Sequence, residues 1–265
     1  MWTVGPARSS ADAPANDGEE RTLEANLQIN TSAGVTFLNF SSALDRIELR
    51  NLDTGPTRLV IDDRADDEID AWNGTAIVLD VAGVLDLSEV EFKAGRSMLS
   101  VSAAGIDGTI RGDLGTLSVL NRATAGAAYA DLIVRDANRL DIVDDGRAGG
   151  GLVTATGRID VELAPRESLL THVSGLISAG PSQPMRLIAD DMDFLAGQDS
   201  IRGTGTLEIR SKSDAQGYRI GGAAQDDFGF DYSPAGRTGF VELGMRDLSA
   251  LRDGFSSVAI GHRGP

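Results

Sequence analysis

The sequence predicts an all-β fold, a parallel β-helix (β-solenoid) with rungs of about 20 residues; tandem β-sandwiches are the alternative. Three observations carry this. Short apolar segments alternate with a period of two, they recur at near-regular spacing, and long helical periodicity is nearly absent. Composition agrees. Glycine is abundant at 32 residues while aromatics make up 5%, which favours tight turns and a core of Val, Ile, Leu and Ala.

Residues 1–22 are rich in Ala, Ser, Asp, Gly and Pro without apolar periodicity, and read as a leader or linker in which short strands could hide. From Leu23 to Pro265 the chain reads as one β unit, a segment of a longer repeat array. "RIELR" places Ile47 and Leu49 on one face, and "AIVLDVA" does the same with Ile77, Leu79 and Val81. "SMLSVSA" offers Leu99 and Val101, "TLSVL" Leu117 and Val119, "RLDIVD" Leu140 and Ile142. "RIDVELA" offers Ile159, Val161 and Leu163, "GTLEIR" Leu207 and Ile209, "GFVELG" Val241 and Leu243. Weaker strands lie between, in "GTIRG" and "ADLIVRD". The segment "DLSALRDGF" is the exception, one or two helical turns with Asp247 as N-cap and Gly254 as the stop.

Apolar pairs begin at Leu99, Leu117, Leu140 and Ile159, steps of 18, 23 and 19 residues. A repeat of this length holding two or three short strands suits a solenoid, where each strand pairs with its counterpart one rung along. Sandwiches also space strands closely. Against them stand the few aromatics and the scarcity of hairpin dipeptides, Asn73-Gly74 being the single "NG".

The net charge of −16 argues against nucleic acid and against an anionic membrane surface, both of which call for clustered Lys and Arg. No stretch reaches the roughly 18 apolar residues that span a bilayer, and the first twenty residues lack a signal-peptide core. An export signal, if used, lies outside this chain. The absence of cysteine excludes disulfides, thiol catalysis and Cys-based metal sites.

Candidate chemistry is sparse. His172 sits in an alternating segment and His262 near the end of the sequence, without a second His for a metal site. Asp62-Asp63, Asp66-Asp67, Asp144-Asp145, Asp190-Asp191 and Asp226-Asp227 are adjacent acidic pairs, but neighbours on a strand point to opposite faces. Calcium is the ion these residues suit best, since it takes six to eight oxygens from carboxylates and loop carbonyls. "GGAAQDDFGFDYS" offers Asp226, Asp227 and Asp231; "DDRADDEID" offers Asp62, Asp63, Asp66 and Asp67. The first is similar to the Gly- and Asp-rich calcium loop of toxin-type repeats, although Ala224 replaces a required Gly. No G-x-S-x-G elbow is present, and "GRAGGG", Gly146 to Gly151, lacks the Lys of a phosphate loop. No catalytic residue and no organic cofactor is expected.

The run "MRLIADDMDFLAGQDSIRGTGTLEIR", Met185 to Arg210, then "YRIGGAA" and "DLSALRDGFSSVAIG", resembles modules of very large bacterial surface or secreted proteins. These are filamentous-haemagglutinin-like adhesins and giant proteins of the LEPR-XLL type. The resemblance is most specific over Met185–Gly261 and compositional upstream. It implies a right-handed parallel β-helix within an exported stalk or adhesin, extracellular or at the cell surface, and carries over no catalytic residue.

The expectation is a non-enzymatic structural or adhesive segment of a bacterial fibre protein. It would act by rigid extension and by end-to-end or surface contacts, with self-association through end rungs or a surface glycan or host-cell partner. The alternative is a polysaccharide lyase or hydrolase using paired carboxylates and calcium, which needs two acids and an Arg lining one face. A glycan-binding module would need exposed aromatics, for which Trp72, Tyr129, Tyr218 and Tyr232 are the candidates.

Overall fold

Alternating apolar segments require a partner strand on each side and a shared interior to bury their inward residues, and parallel sheets supply both. The computed structural model describes residues 76–88, 91–93, 98–146, 150–172, 174–213, 217–221 and 240–261. It also describes the strand segments 2–3, 35–37, 46–51, 57–61 and 68–70.

Among these residues the protein is all-β apart from one short helix. The first sheet has eleven strands. Its main path is β1 (Trp2–Thr3), β3 (Arg46–Asn51), β6 (Ala76–Val81), β9 (Met98–Ala103), β12 (Thr116–Asn121), β14 (Leu140–Ile142), β17 (Ser168–Thr171) and β20 (Asp191–Phe194). A side path leaves β12 through β15 (Gly151–Thr154), β18 (Leu176–Ser178) and β21 (Ile201–Arg202). The second sheet holds β2 (Val35–Phe37), β4 (Thr57–Ile61), β7 (Val84–Asp86) and β10 (Gly105–Asp107).

The third sheet runs β5 (Glu68–Asp70), β8 (Glu91–Lys93), β11 (Ile110–Asp113), β13 (Leu132–Asp136), β16 (Ile159–Leu163), β19 (Met185–Ile188), β22 (Thr206–Arg210) and β25 (Ser257–Ile260). β23 (Gly217–Ile220) and β24 (Phe240–Leu243) form a separate parallel pair. Among the described residues every pairing but one is parallel; β1 lies antiparallel on β3.

The chain visits these sheets in rotation, so residues far apart in sequence stack side by side. Leu99 lies beside Leu117, and Leu117 beside Ile142. Val101, Val119, Leu152, Ile177 and Ile201 form a second column. On the third sheet Leu132, Ile159, Met185 and Leu207 stack, as do Val134, Val161, Leu187 and Ile209. All of these are at most 2% exposed. Burying each such side chain contributes about 1.5–3 kcal/mol, and together the columns are the core.

The spacing read from the sequence is only partly the spacing in space. The step from Leu99 to Leu117 is a true neighbour relation, but Leu140 pairs with Leu169, and Ile159 belongs to the third sheet. Loops cause this shift. The line followed by the single strand β12 is taken up next by β14 and then β15, and residues 143–146 leave the sheet after β14. The same line is broken again between β17 and β18, and between β20 and β21.

The helix α1 (Met245–Ala250) also begins earlier than the sequence suggests. Gly244 is its N-cap and Asp247 sits at N3, accepting the Gly244 N–H at 2.9 Å and the Phe194 N–H at 2.8 Å. Asp247 thereby ties the helix to β20 as well as capping it. After α1, Leu251 bridges to Ile201, and Val258 and Ile260 align with Leu207 and Ile209.

Several glycines are fixed by a close approach, Gly112 among them. Gly112 lies between Phe92 and Asp136 with φ +146°, where a Cβ would stand 1.8 Å from the Phe92 carbonyl oxygen. Gly126 also has positive φ, +82°, yet nothing lies within 4 Å of its Cβ position. Gly112→Ala is expected to cost about 3 kcal/mol or more and Gly126→Ala about 1 kcal/mol, read from denaturant midpoints. Equal losses at the two sites would show that φ alone, not the approach of Phe92, demands glycine.

Candidate functional site

Charged side chains concentrate on the outward face of the third sheet, because inward positions alternate with outward ones. One outward row reads Ile133, Asp160, Arg186, Glu208; the next reads Arg135, Glu162, Ile188, Arg210. Opposite charges fall on neighbouring strands. Arg135 contacts Asp160 at 3.1 Å and Glu162 at 3.7 Å. Arg186 contacts Asp160 at 3.4 Å and Glu208 at 3.8 Å. Lys212 reaches back to Glu162. Ile188, between Glu162 and Arg210 in that row, is fully buried although it lies among outward positions.

This face meets the compositional requirement of two acids and an arginine, but its charges are matched to one another. Burial pushes the Glu162 carboxyl up; the Lys212 hydrogen bond and the charges of Lys212, Arg135 and Arg186 outweigh it and hold the group below its usual range. Such a carboxylate stays ionised near neutral pH and is unsuited to protonating a leaving group. Asp160 Oδ1 and Arg210 Nε are buried without a hydrogen-bond partner among the described residues. This face is not visible in the linear sequence. Its signal, outward charges in "LIVRD", "IDVEL", "MRLI" and "TLEIR", becomes readable only once the register is known.

A second group of polar side chains sits at the corners between sheets. Asp136, 5% exposed, accepts the Leu114 N–H at 3.0 Å and the Asn138 N–H at 2.8 Å. Burial pushes its carboxyl up to about 8, against the pull of those N–H bonds and with the help of the Asp113 charge. Asp190 accepts from the Arg166 N–H at 2.6 Å, the Ser211 hydroxyl at 2.6 Å, the Ser213 N–H at 2.7 Å and the Ser213 hydroxyl. Burial raises Asp190, but these bonds outweigh it and its carboxyl lies below the usual value. Asn121 donates to the carbonyls of Tyr129, Ala130 and Asp131, at 2.9, 3.1 and 3.3 Å. Thr154 donates to Ala130 O at 2.7 Å.

Of the residues singled out in the sequence, Asp62, Asp63, Asp66, Asp67, Asp226, Asp227 and Asp231 lie outside the described residues, as do Trp72, Asn73-Gly74, Tyr232 and His262. Among the described residues no three His, Cys, Asp or Glu side chains are grouped to hold a metal ion. His172 is exposed where the chain leaves the first sheet after β17. The two described acidic pairs separate. Asp190 is buried while Asp191 is exposed, and Asp145 accepts a hydrogen bond from Ser100 while Asp144 accepts the Gly146 N–H at 2.9 Å. Tyr129 is 38% exposed, and the Tyr218 hydroxyl accepts the Ser211 N–H at 2.7 Å. No described helix is long and apolar enough to cross a membrane.

Comparison with protein-family models, with curated proteins and with solved structures returns no match.

The carboxyl groups set opposite pH dependences. Asp136, raised from 3.8 to about 8, contributes stability that is complete below pH 3.8 and is lost as pH rises through about 8. Glu162 and Asp190, both lowered, contribute stability present above their usual values and lost in acid. Asp136→Asn keeps an acceptor for the Leu114 N–H and removes the buried ionisation. Melting temperatures measured from pH 5 to pH 8 should therefore fall for the parent protein and stay flatter for the variant. Parallel curves would show that Asp136 ionises freely in the fold.

Proposed function

We propose that this chain is a segment of a right-handed β-solenoid serving as a non-enzymatic, rigid structural or adhesive part of a bacterial surface or secreted fibre protein. The observation that carries the reading is the in-register parallel stacking of apolar columns through successive strands of the first and third sheets. Parallel strands joined by crossovers are right-handed in nearly all folds, and stacked units of this kind extend along one axis. The likeness of Met185–Gly261 to adhesin modules points the same way. Extracellular placement and contact with a surface glycan or host-cell partner belong to this proposal, with the third sheet's charged face as the contact surface.

The polysaccharide-enzyme alternative has one pair to build on, Asp113 beside Asp136, since a carboxyl titrating near 8 beside a second acid is an acid/base arrangement. Its geometry favours a structural role. Asp136 is buried and its oxygens point at the amides of Leu114 and Asn138, while Asn138 donates to Asp113. Calcium, if bound, would be held by the Asp62–Asp67 or Asp226–Asp231 carboxylates.

A stacked spacer should yield one unit at a time. Pulling the termini apart in a single-molecule experiment is expected to give repeated extension steps of about 80 Å, the extended length of the roughly 25 residues that separate stacked partners such as Leu132, Ile159, Met185 and Leu207. Release of the whole chain in one step would refute the stacked mechanism. Release of reducing ends from acidic polysaccharides, abolished by Asp136→Asn, would establish the enzyme instead.

A further inference from the structure

The outward rows of the third sheet leave one cation over. Arg135, Arg186 and Lys212 each contact one or more of the carboxylates of Asp160, Glu162 and Glu208. Arg210 pairs with none among the described residues; it is half-buried, and its Nε is covered without an acceptor. A charged group held partly out of water without a partner costs free energy that a bound counter-ion offsets. The paired cations also form the outer layer. The side chains of Arg135, Arg186 and Lys212 are 33–35% exposed, against 11–27% for the carboxylates they contact.

Register brings three of these side chains together. Arg210 is the neighbour of Ile188 across the ladder, and Arg186 precedes Ile188 by two residues on β19. Arg186 and Arg210 are therefore diagonal neighbours, about 8 Å apart from the strand spacing and the rise per residue, and Lys212 follows Arg210 by two. Lys212 gives one of its three N–H donors to Glu162. We propose that Arg186, Arg210 and Lys212 bind a carboxylate of an acidic polysaccharide, one that carries a single charge per sugar ring. The proposal rests on the glycan-contact reading given above and names its ligand.

Three features select this partner. A guanidinium presents paired N–H groups at the spacing of a carboxylate's two oxygens. From β13 to β22 the rows and Lys212 hold four cations, Arg135, Arg186, Arg210 and Lys212, against three carboxylates. The surplus is one positive charge in a chain of net charge −16. Nucleic acid or a heavily sulfated glycan calls for many surplus cations and is repelled by the remaining acidic surface. The third feature is the acids themselves. Glu162 and Glu208 are partly exposed beside the site and, when ionised, only accept hydrogen bonds. A uronate ring brings hydroxyl donors to them together with its carboxylate for Arg210, whereas acidic protein side chains bring acceptors alone.

The test is calorimetric titration of the intact chain with an oligogalacturonate and with its methyl ester of the same length. Binding is expected for the acid and not for the ester. Arg210→Gln should raise the dissociation constant at least about tenfold, through loss of a charge-assisted hydrogen-bonded pair. Arg139→Gln, which removes a cation paired with Asp141 on the first sheet, should leave it unchanged. The ester comparison is made on the parent chain and decides alone if Arg210→Gln fails to fold. No binding of the acid, equal binding of the ester, or equal effects of the two substitutions would overturn the inference. So would tighter binding of dextran sulfate or of polyglutamate. Absent binding combined with pulling steps of about 80 Å would overturn this site while leaving the stacked spacer intact.

Discussion

The structure depends on the stacking of inward side chains between parallel strands in register. A strand of three to six residues has too little apolar surface to hold itself in place. It is ordered by the column it joins. Leu117 is held between Leu99 and Ile142, and Leu187 between Val161 and Ile209. This explains a core made mainly of Val, Ile and Leu. A column of similar aliphatic residues repeats without the bespoke cavities that large aromatics need; Phe92 and Phe194, the two largest fully buried side chains, are the exceptions.

The interior must also turn at each corner, where backbone amides leave the ladder and lose their partners. Asp136, Asp190, Asn121, Thr154 and Asp247 meet that need from buried positions. Each links backbone groups that neighbouring strands do not satisfy, such as the Leu114 amide held by Asp136 and the Arg166 amide held by Asp190. A buried carboxylate costs several kcal/mol unless donors surround it. The two cases differ accordingly. Asp190 receives four donors and is held low, whereas Asp136 has fewer and is driven high by burial.

The strands and their inward residues were legible in the sequence, because a period of two is a local property. Val258 and Ile260 could be placed on the same face as their predecessors before any pairing was known, and they do align with Leu207 and Ile209. What was not legible depended on register. The line of β12 is continued by two strands, β14 and β15, and this shifts the spacing, so Leu140 and Ile159 read as members of one series although they sit in different sheets. Asp247 carries the chemistry of a helix start, but its N3 position is fixed by Phe194, 53 residues away. The Arg135–Asp160–Arg186–Glu208 line is invisible until four strands are laid side by side.

Register itself poses a physical problem that the apolar columns do not solve. A slip of one residue would turn every inward side chain outward and is strongly opposed. A slip of two keeps aliphatic residues facing aliphatic residues and costs the columns little. The polar groups break that degeneracy, because each joins one specific pair. Sliding β13 by two residues along β11 would carry Asp136 away from the Leu114 amide. Sliding β19 along β22 in one direction would set Arg186 against Arg210, in place of its Glu208 contact at 3.8 Å. The outward charges contribute little stability individually, at about 0–1 kcal/mol per exposed pair, and the corner carboxylates are costly to bury. Their larger effect is to select one register from several that hydrophobic burial alone would accept.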